Sequence, residues 1–321
     1  MVLGRLAMFV ALFASQLGNA AVVKRSELFD GGECGEEAHA ALRLAFHDAI
    51  GFSTSGTGGG ADGSILAFNS TELAYVIRFE SRTTSIDDII ARQWPVFTKT
   101  NLTAGDFLHL AAAVGVANCP GSPQLPYSFG HSVTDILARM ADAGFVAAEV
   151  VWLLASHSIG DANKIDPSIP GTPFDSCVNT LSHCSDTQFF LEVLLQGTAF
   201  PGNGGQSGEV LSPLAGEMRL QSDFAFSQDS RTACFWQEAV NAQSFIMGKF
   251  EAAMAKMQLL GQSGLTDCSD VIPVPATFTN NIQYPASFNQ SNVQIACTTT
   301  PFPSLATVAG PAPTVSPVPQ S

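Results

Sequence analysis

At 321 residues, with 46% apolar side chains and only 13% charged ones, the chain can bury a large core, which excludes a disordered polypeptide. Lys and Arg number 14 against 28 Asp and Glu, and the formal net charge of -14 repels phosphate backbones and anionic lipid, so neither nucleic acid nor a membrane is an expected partner. Length alone permits one large domain or two ordinary ones.

The chain opens with Arg5, an apolar run from Leu6 to Phe13, and small residues at Gly18, Ala20 and Ala21. This is the layout of a secretory signal over residues 1–21, with a run too short to span a bilayer. Lys24-Arg25 then reads as the end of a short propeptide, 22–25. Sequons begin at Asn69, Asn101 and Asn289, as a secreted glycoprotein would carry. The seven cysteines, Cys34, Cys119, Cys177, Cys184, Cys234, Cys268 and Cys297, include no C-x-x-C pair, which favours disulfides over a zinc site and leaves one thiol over.

Helical periodicity predicts helices over 34–50, 85–98, 104–117, 132–140, 147–157, 187–196 and 233–260. Ser85 before Asp87-Asp88, and Thr103 three residues before Asp106, are cap signals. Gly- and Pro-rich stretches at 56–60, 120–126, 167–173 and 202–208 read as loops, and alternating strand patterns are scarce. The expected class is mostly α: one domain over 26–300, then a Pro-rich tail over 301–321 lying outside the core.

Two histidines stand out. Arg43 and His47 are four apart, so a helix puts a fixed cation and a base on one face, with Phe46 beside His47. Alone, that pair is equally a solvated polar face. His157 ends an apolar helix, where a buried imidazole serves either a core hydrogen bond or metal ligation. Asp223 offers a carboxylate for the far ring N–H of such a ligand.

Three separated motifs, 43–49 (RLAFHDA), 58–64 (GGGADGS) and 152–158 (WLLASHS), resemble the secreted fungal (class II) haem peroxidases, the lignin, versatile and manganese peroxidases. The resemblance continues in order through 197–202, 219–223, 229–234 and 266–273. It implies a helical fold holding haem b between a distal and a proximal helix, with His157 as axial ligand and Asp223 on its far nitrogen. His47 and Arg43 would act opposite: the imidazole as base and then acid on hydrogen peroxide, the guanidinium against developing negative charge. It also implies two calcium ions, the distal one on Asp48, Gly60, Asp62 and Ser64, whose oxygens suit a hard cation. The proximal one falls on Ser158, Asp175 and Asp186, with Cys177 in place of a threonine ligand. The implied disulfides are Cys34 with Cys119 and Cys234 with Cys297, leaving Cys177 and Cys184 able to pair and Cys268 as the free thiol.

Five residues before His157, Trp152 lies about 140° around an α-helix and can face solvent. It resembles the tryptophan through which lignin-type peroxidases oxidise bulky aromatics, although an aromatic there is also an ordinary packing residue. At the family's manganese positions stand Glu36, Ala40 and Asn163, one carboxylate only, so efficient Mn(II) oxidation is not expected unless Glu37 or Asp161 substitutes. The reading is a secreted, monomeric, lignin-peroxidase-like enzyme acting on peroxide and aromatic reductants. The alternatives are a versatile or manganese peroxidase, or an inactive truncated remnant. The remnant reading rests on departures from the family: no cysteine-bearing first helix before Leu28, a shorter loop near His131, and no asparagine in 75–84 to accept from His47. Such blocks match a gene model with altered exons or a truncated isoform.

Overall fold

A computed structural model describes residues 36–56, 58–71, 85–117, 132–160, 186–196, 209–210, 212–267, 269, 272 and 274–316. Among them the structure is mostly α. In chain order the helices are α1 (Glu36–Ala49), α2 (Ser64–Ala67), α3 (Ser85–Phe97), α4 (Ala104–Ala117), α5 (Val133–Asp142), α6 (Ala147–Leu154), α7 (Gln188–Glu192), α8 (Gln221–Gln228), α9 (Ala233–Ala239) and α10 (Gln243–Gln258). Short strands β1 (Glu209–Val210) and β2 (Arg219–Leu220) pair antiparallel, and β3 (Gln283–Tyr284) and β4 (Ala306–Thr307) pair parallel. None of these helices is long and apolar enough to cross a membrane.

Local chemistry sets the helix ends. Thr103 Oγ1 accepts from the Asp106 amide (3.1 Å) and donates to its carboxylate, and Ser132 with Asp135 makes the same reciprocal cap on α5. The helix expected over 233–260 is two: Asn241 takes φ 58°, a left-handed conformation that an α-helix cannot contain, so α9 stops and α10 restarts at Gln243. The helix expected over 187–196 ends at Glu192, because Leu195 leaves it to bridge Val293. Residues 221–228, not anticipated as a helix, form α8.

The tail departs from expectation. It is extended, but it docks: β4 joins β3, the Val315 amide donates to the Ala215 carbonyl (2.7 Å), and Val315 is buried in the main core. Proline removes amide donors without removing apolar surface, so such a segment can still cover a core by edge pairing.

That core gathers Leu42, Ala45 and Phe46 of α1, Leu153 and Leu154 of α6, Phe189 and Phe190 of α7, and Trp236 of α9. Trp236 is fully buried with its indole N–H donating to the Phe190 carbonyl (3.0 Å), so burial leaves no polar cost. A smaller cluster joins Ala38 and Ala41 of α1 to Ala111 and Val114 of α4 and to Ile159, which brings α1 close to the turn carrying His157. Cys234 and Cys297 are disulfide-bonded across a sequence separation of 63.

Candidate active site

Helix α1 presents Arg43 and His47 one turn apart, and the buried Phe46 ring meets the His47 ring edge-on at 5.7 Å. Nε2 of His47 is buried and has no hydrogen-bond partner among the described residues. Burial first, and the Arg43 cation second, pull the His47 pKa from 6.5 to about 3, so the imidazole stays neutral and basic in acid. A neutral ring nitrogen aimed at no protein atom beside a fixed cation is a site for a small polar molecule that must lose a proton.

His157 does not lie on α6 itself. After Leu154 the chain tightens into a 3-10 turn over Ala155–Ile159. The turn is wholly buried, and His157 Nδ1 lies 2.9 Å from Asp223 Oδ2 in the first turn of α8, both groups shielded from water. A carboxylate acceptor fixes Nδ1 as the protonated nitrogen and directs the lone pair of Nε2 outward, the state in which imidazole ligates a metal. On its other side the ring meets Phe189 of α7 edge-on at 5.9 Å. The carboxylate-oriented imidazole of His157 and the unsatisfied His47 nitrogen are groups that would suit a haem, one to hold it and one to face its peroxide.

The loop after α1 folds back onto it. Asp48 accepts from the Gly63 amide (2.8 Å) and Asp62 from the Ser64 amide (2.9 Å). Gly60 has φ +80°, and a Cβ there would come within 2.1 Å of the Leu260 carbonyl oxygen, so only glycine allows this approach. Oxygen donors of this kind would suit calcium and not a soft metal, but among the described residues no three His, Cys, Asp or Glu side chains gather to hold a metal ion. On the other half of the molecule, Ser158 donates to the Ala155 carbonyl (2.8 Å), and the buried Asp186 accepts from the Gln188 amide (2.9 Å). Asp175, Cys34, Cys119, Cys177, Cys184, Cys268, Asn163 and the 75–84 segment lie outside the described residues.

Trp152 is half-buried rather than open to solvent. The 3-10 turn advances about 120° per residue rather than 100°, which carries Trp152 nearly opposite His157. Its ring meets Phe245 of α10 edge-on at 6.5 Å, with Lys249 Nζ 5.0 Å over the indole, while the indole N–H finds no acceptor among the described residues.

Sequence reasoning missed Phe189, Phe245 and Lys249, which carry no motif of their own. It also missed a buried polar cluster behind His157: Glu192, Glu217, Arg219, Ser212 and Gln188. A glutamate in a sequence reads as surface, and only the packing of α7 on β2 reveals otherwise.

Comparison with known proteins places this arrangement among relatives. The family model described as Peroxidase matches residues 122–242, and that of the fungal peroxidase extension region matches 245–320. A versatile peroxidase of Pleurotus eryngii is 50% identical over 92% of this chain and 85% of its own length. Manganese peroxidase 3 of Phlebia radiata is 49% identical (92% and 87%), and ligninase H2 of Phanerodontia chrysosporium 44% (92% and 84%).

Proposed function

We propose that this chain, which belongs to the fungal haem peroxidase family, uses hydrogen peroxide to oxidise bulky aromatic, lignin-type compounds by one-electron steps, with Trp152 as the point where those electrons enter. His157 would hold haem b, which would store the two oxidising equivalents that hydrogen peroxide supplies. The neutral His47 would take the proton from one peroxide oxygen and return it to the other. Arg43 steadies the negative charge that builds on the departing oxygen. Asp223, accepting from His157 Nδ1, gives the imidazole partial anionic character. We further read the chain as secreted after loss of 1–25, with Cys34 bonded to Cys119, and with calcium on Asp48, Gly60, Asp62 and Ser64 and on Ser158, Asp175 and Asp186.

The observation that carries the aromatic reading is Trp152 itself. It is half-buried against Phe245 and Lys249 on the helix that runs directly into the His157 turn, so only a few covalently linked residues separate it from His157. Ala40 provides no oxygen where a third manganese carboxylate is needed, so the manganese reading has less support.

The test is Trp152→Phe in the secreted holoenzyme. Its kcat/KM for veratryl alcohol is expected to fall at least ~10-fold, about 1.4 kcal/mol, while oxidation of a small phenol and the reaction with peroxide persist. Unchanged veratryl alcohol oxidation refutes Trp152 as the entry point. A wild-type protein whose Soret band ignores peroxide refutes the enzyme reading and leaves an inactive remnant.

A further inference from the structure

Two carboxyls are completely buried behind the proximal histidine. Glu192 ends α7 and Glu217 precedes β2, and each is 0% exposed. Gln188 Nε2 donates to Glu192 (2.7 Å), and Ser212 Oγ donates to Glu217 Oε1 (2.6 Å). Glu217 is within hydrogen-bonding reach of Glu192, so with both carboxyls ionised acceptor would face acceptor, and Glu217 Oε2 has no hydrogen-bond donor among the described residues. A single proton on that oxygen converts the contact into an acid–carboxylate hydrogen bond. Among the described residues the ionisable groups facing Glu217 are Glu192 from α7 and Arg219 from β2, with the Ser212 hydroxyl as a neutral donor. One shared proton leaves Glu192, Glu217 and Arg219 with no net charge, whereas its loss leaves a buried negative charge.

The placement of the pair gives it a role. Glu192 lies on α7, whose Phe189 ring braces one side of the His157 imidazole. Glu217 lies on the segment that runs through β2 into α8, whose Asp223 holds the other side. Arg219 reinforces the junction, its Nη1 donating to the carbonyls of Val193 (3.0 Å) and Leu195 (2.6 Å) just after α7.

We propose that Glu192 and Glu217 form a proton-sharing clamp that positions His157, joining the two elements that brace its ring and releasing them when the proton is lost. The consequence for His157 rests on the reading of that residue as the haem ligand, and the clamp itself does not. Burial and Glu192 raise the Glu217 pKa well above the ordinary carboxyl range. A raised folded-state pKa contributes stability that is complete below the unfolded value, near ~4.3, and is lost as pH rises through the folded one. The fold is therefore acid-favoured at this point.

The test compares the wild-type holoenzyme with Glu217→Gln, whose amide donates to Glu192 at every pH while its carbonyl still accepts from Ser212. Glu192→Gln, which also removes the need for a proton, serves as a second variant. Two readouts run from pH 4 to 8: Tm by circular dichroism, and the visible bands that report axial ligation. In the wild type the contribution of the clamp to the folding equilibrium constant should fall by up to ~10-fold per pH unit as the proton is lost, against the opposite contribution of His47 below pH 6.5, with the bands changing over the same range. In the variants both profiles should flatten. Variant Tm profiles parallel to the wild type overturn the clamp. A flattened Tm with unchanged pH dependence of the bands overturns the link to His157 and leaves the peroxidase assignment untouched. Should neither variant accumulate, the wild type decides above pH 6.5, where His47 no longer changes its protonation on unfolding: a one-proton fall in stability there supports the clamp, and a flat profile overturns it.

Discussion

Arg43→Leu should move the acid limit of the reaction with peroxide upward by a bounded amount. The His47 pKa is lowered from 6.5 to about 3, with burial the larger cause and the Arg43 guanidinium the smaller. Arg43 therefore accounts for less than half of the gap, under ~1.7, so its removal lifts the imidazole to no more than ~5. The assay is the stopped-flow rate constant for the holoenzyme with hydrogen peroxide between pH 2.5 and 7. In the wild type the rate should fall to half near pH 3, where the base becomes protonated. In Arg43→Leu the half-point should lie between pH 3 and 5, beneath a plateau lowered ~10²- to 10³-fold by loss of the charge-stabilising donor. An unchanged acid limb would mean that Arg43 does not face His47, and a half-point above pH 5 would mean that burial is not the larger cause. Stability follows with a definite sign. A folded-state pKa below the unfolded one gives stability that is present above pH 6.5 and lost as pH falls toward 3, by up to roughly 5 kcal/mol at full expression.

Two further outcomes follow. Replacing Cys234 and Cys297 by alanine frees a loop with a separation of 63, and the chain-entropy model gives about 4 kcal/mol of lost stability. Urea unfolding reads it, and a difference below ~1 kcal/mol would mean that the unfolded chain is already constrained there. If the Asp48 and Asp62 loop holds calcium, Asp62→Ala should lose one metal equivalent by elemental analysis and lower the Tm, while added calcium should no longer raise it; full calcium content in the variant would remove the loop from the binding site.

Much of the fold was legible because the apolar stripes of α1, α3, α4 and α6 follow helical spacing, and the Thr103 and Asp106 cap announces its helix. Asn241 was missed although asparagine readily takes a left-handed conformation, because the apolar spacing over 233–260 continues through it. The pairing of His157 with Asp223 spans 66 positions and has no local signature, so the residues alone offered Asp223 only as a candidate and the family resemblance implied the pairing. Glu192 and Glu217 were illegible for a different reason. Glutamate is almost never fully buried unless partnered, so the prior for each places it in water until the partner is seen.

The docked tail sets an order of assembly. Ala215 cannot receive the Val315 amide until the chain has been made as far as Val315, and Gly216, at φ +87°, leaves room for the Val315 carbonyl only because it has no side chain. The segment so covered leads directly to Glu217, Arg219 and Asp223. During synthesis the half of the molecule behind His157 therefore stays unsealed while the helices of the other half are already complete. This interval is a natural opportunity for a large planar prosthetic group to enter before the C-terminal strand closes the wall behind it.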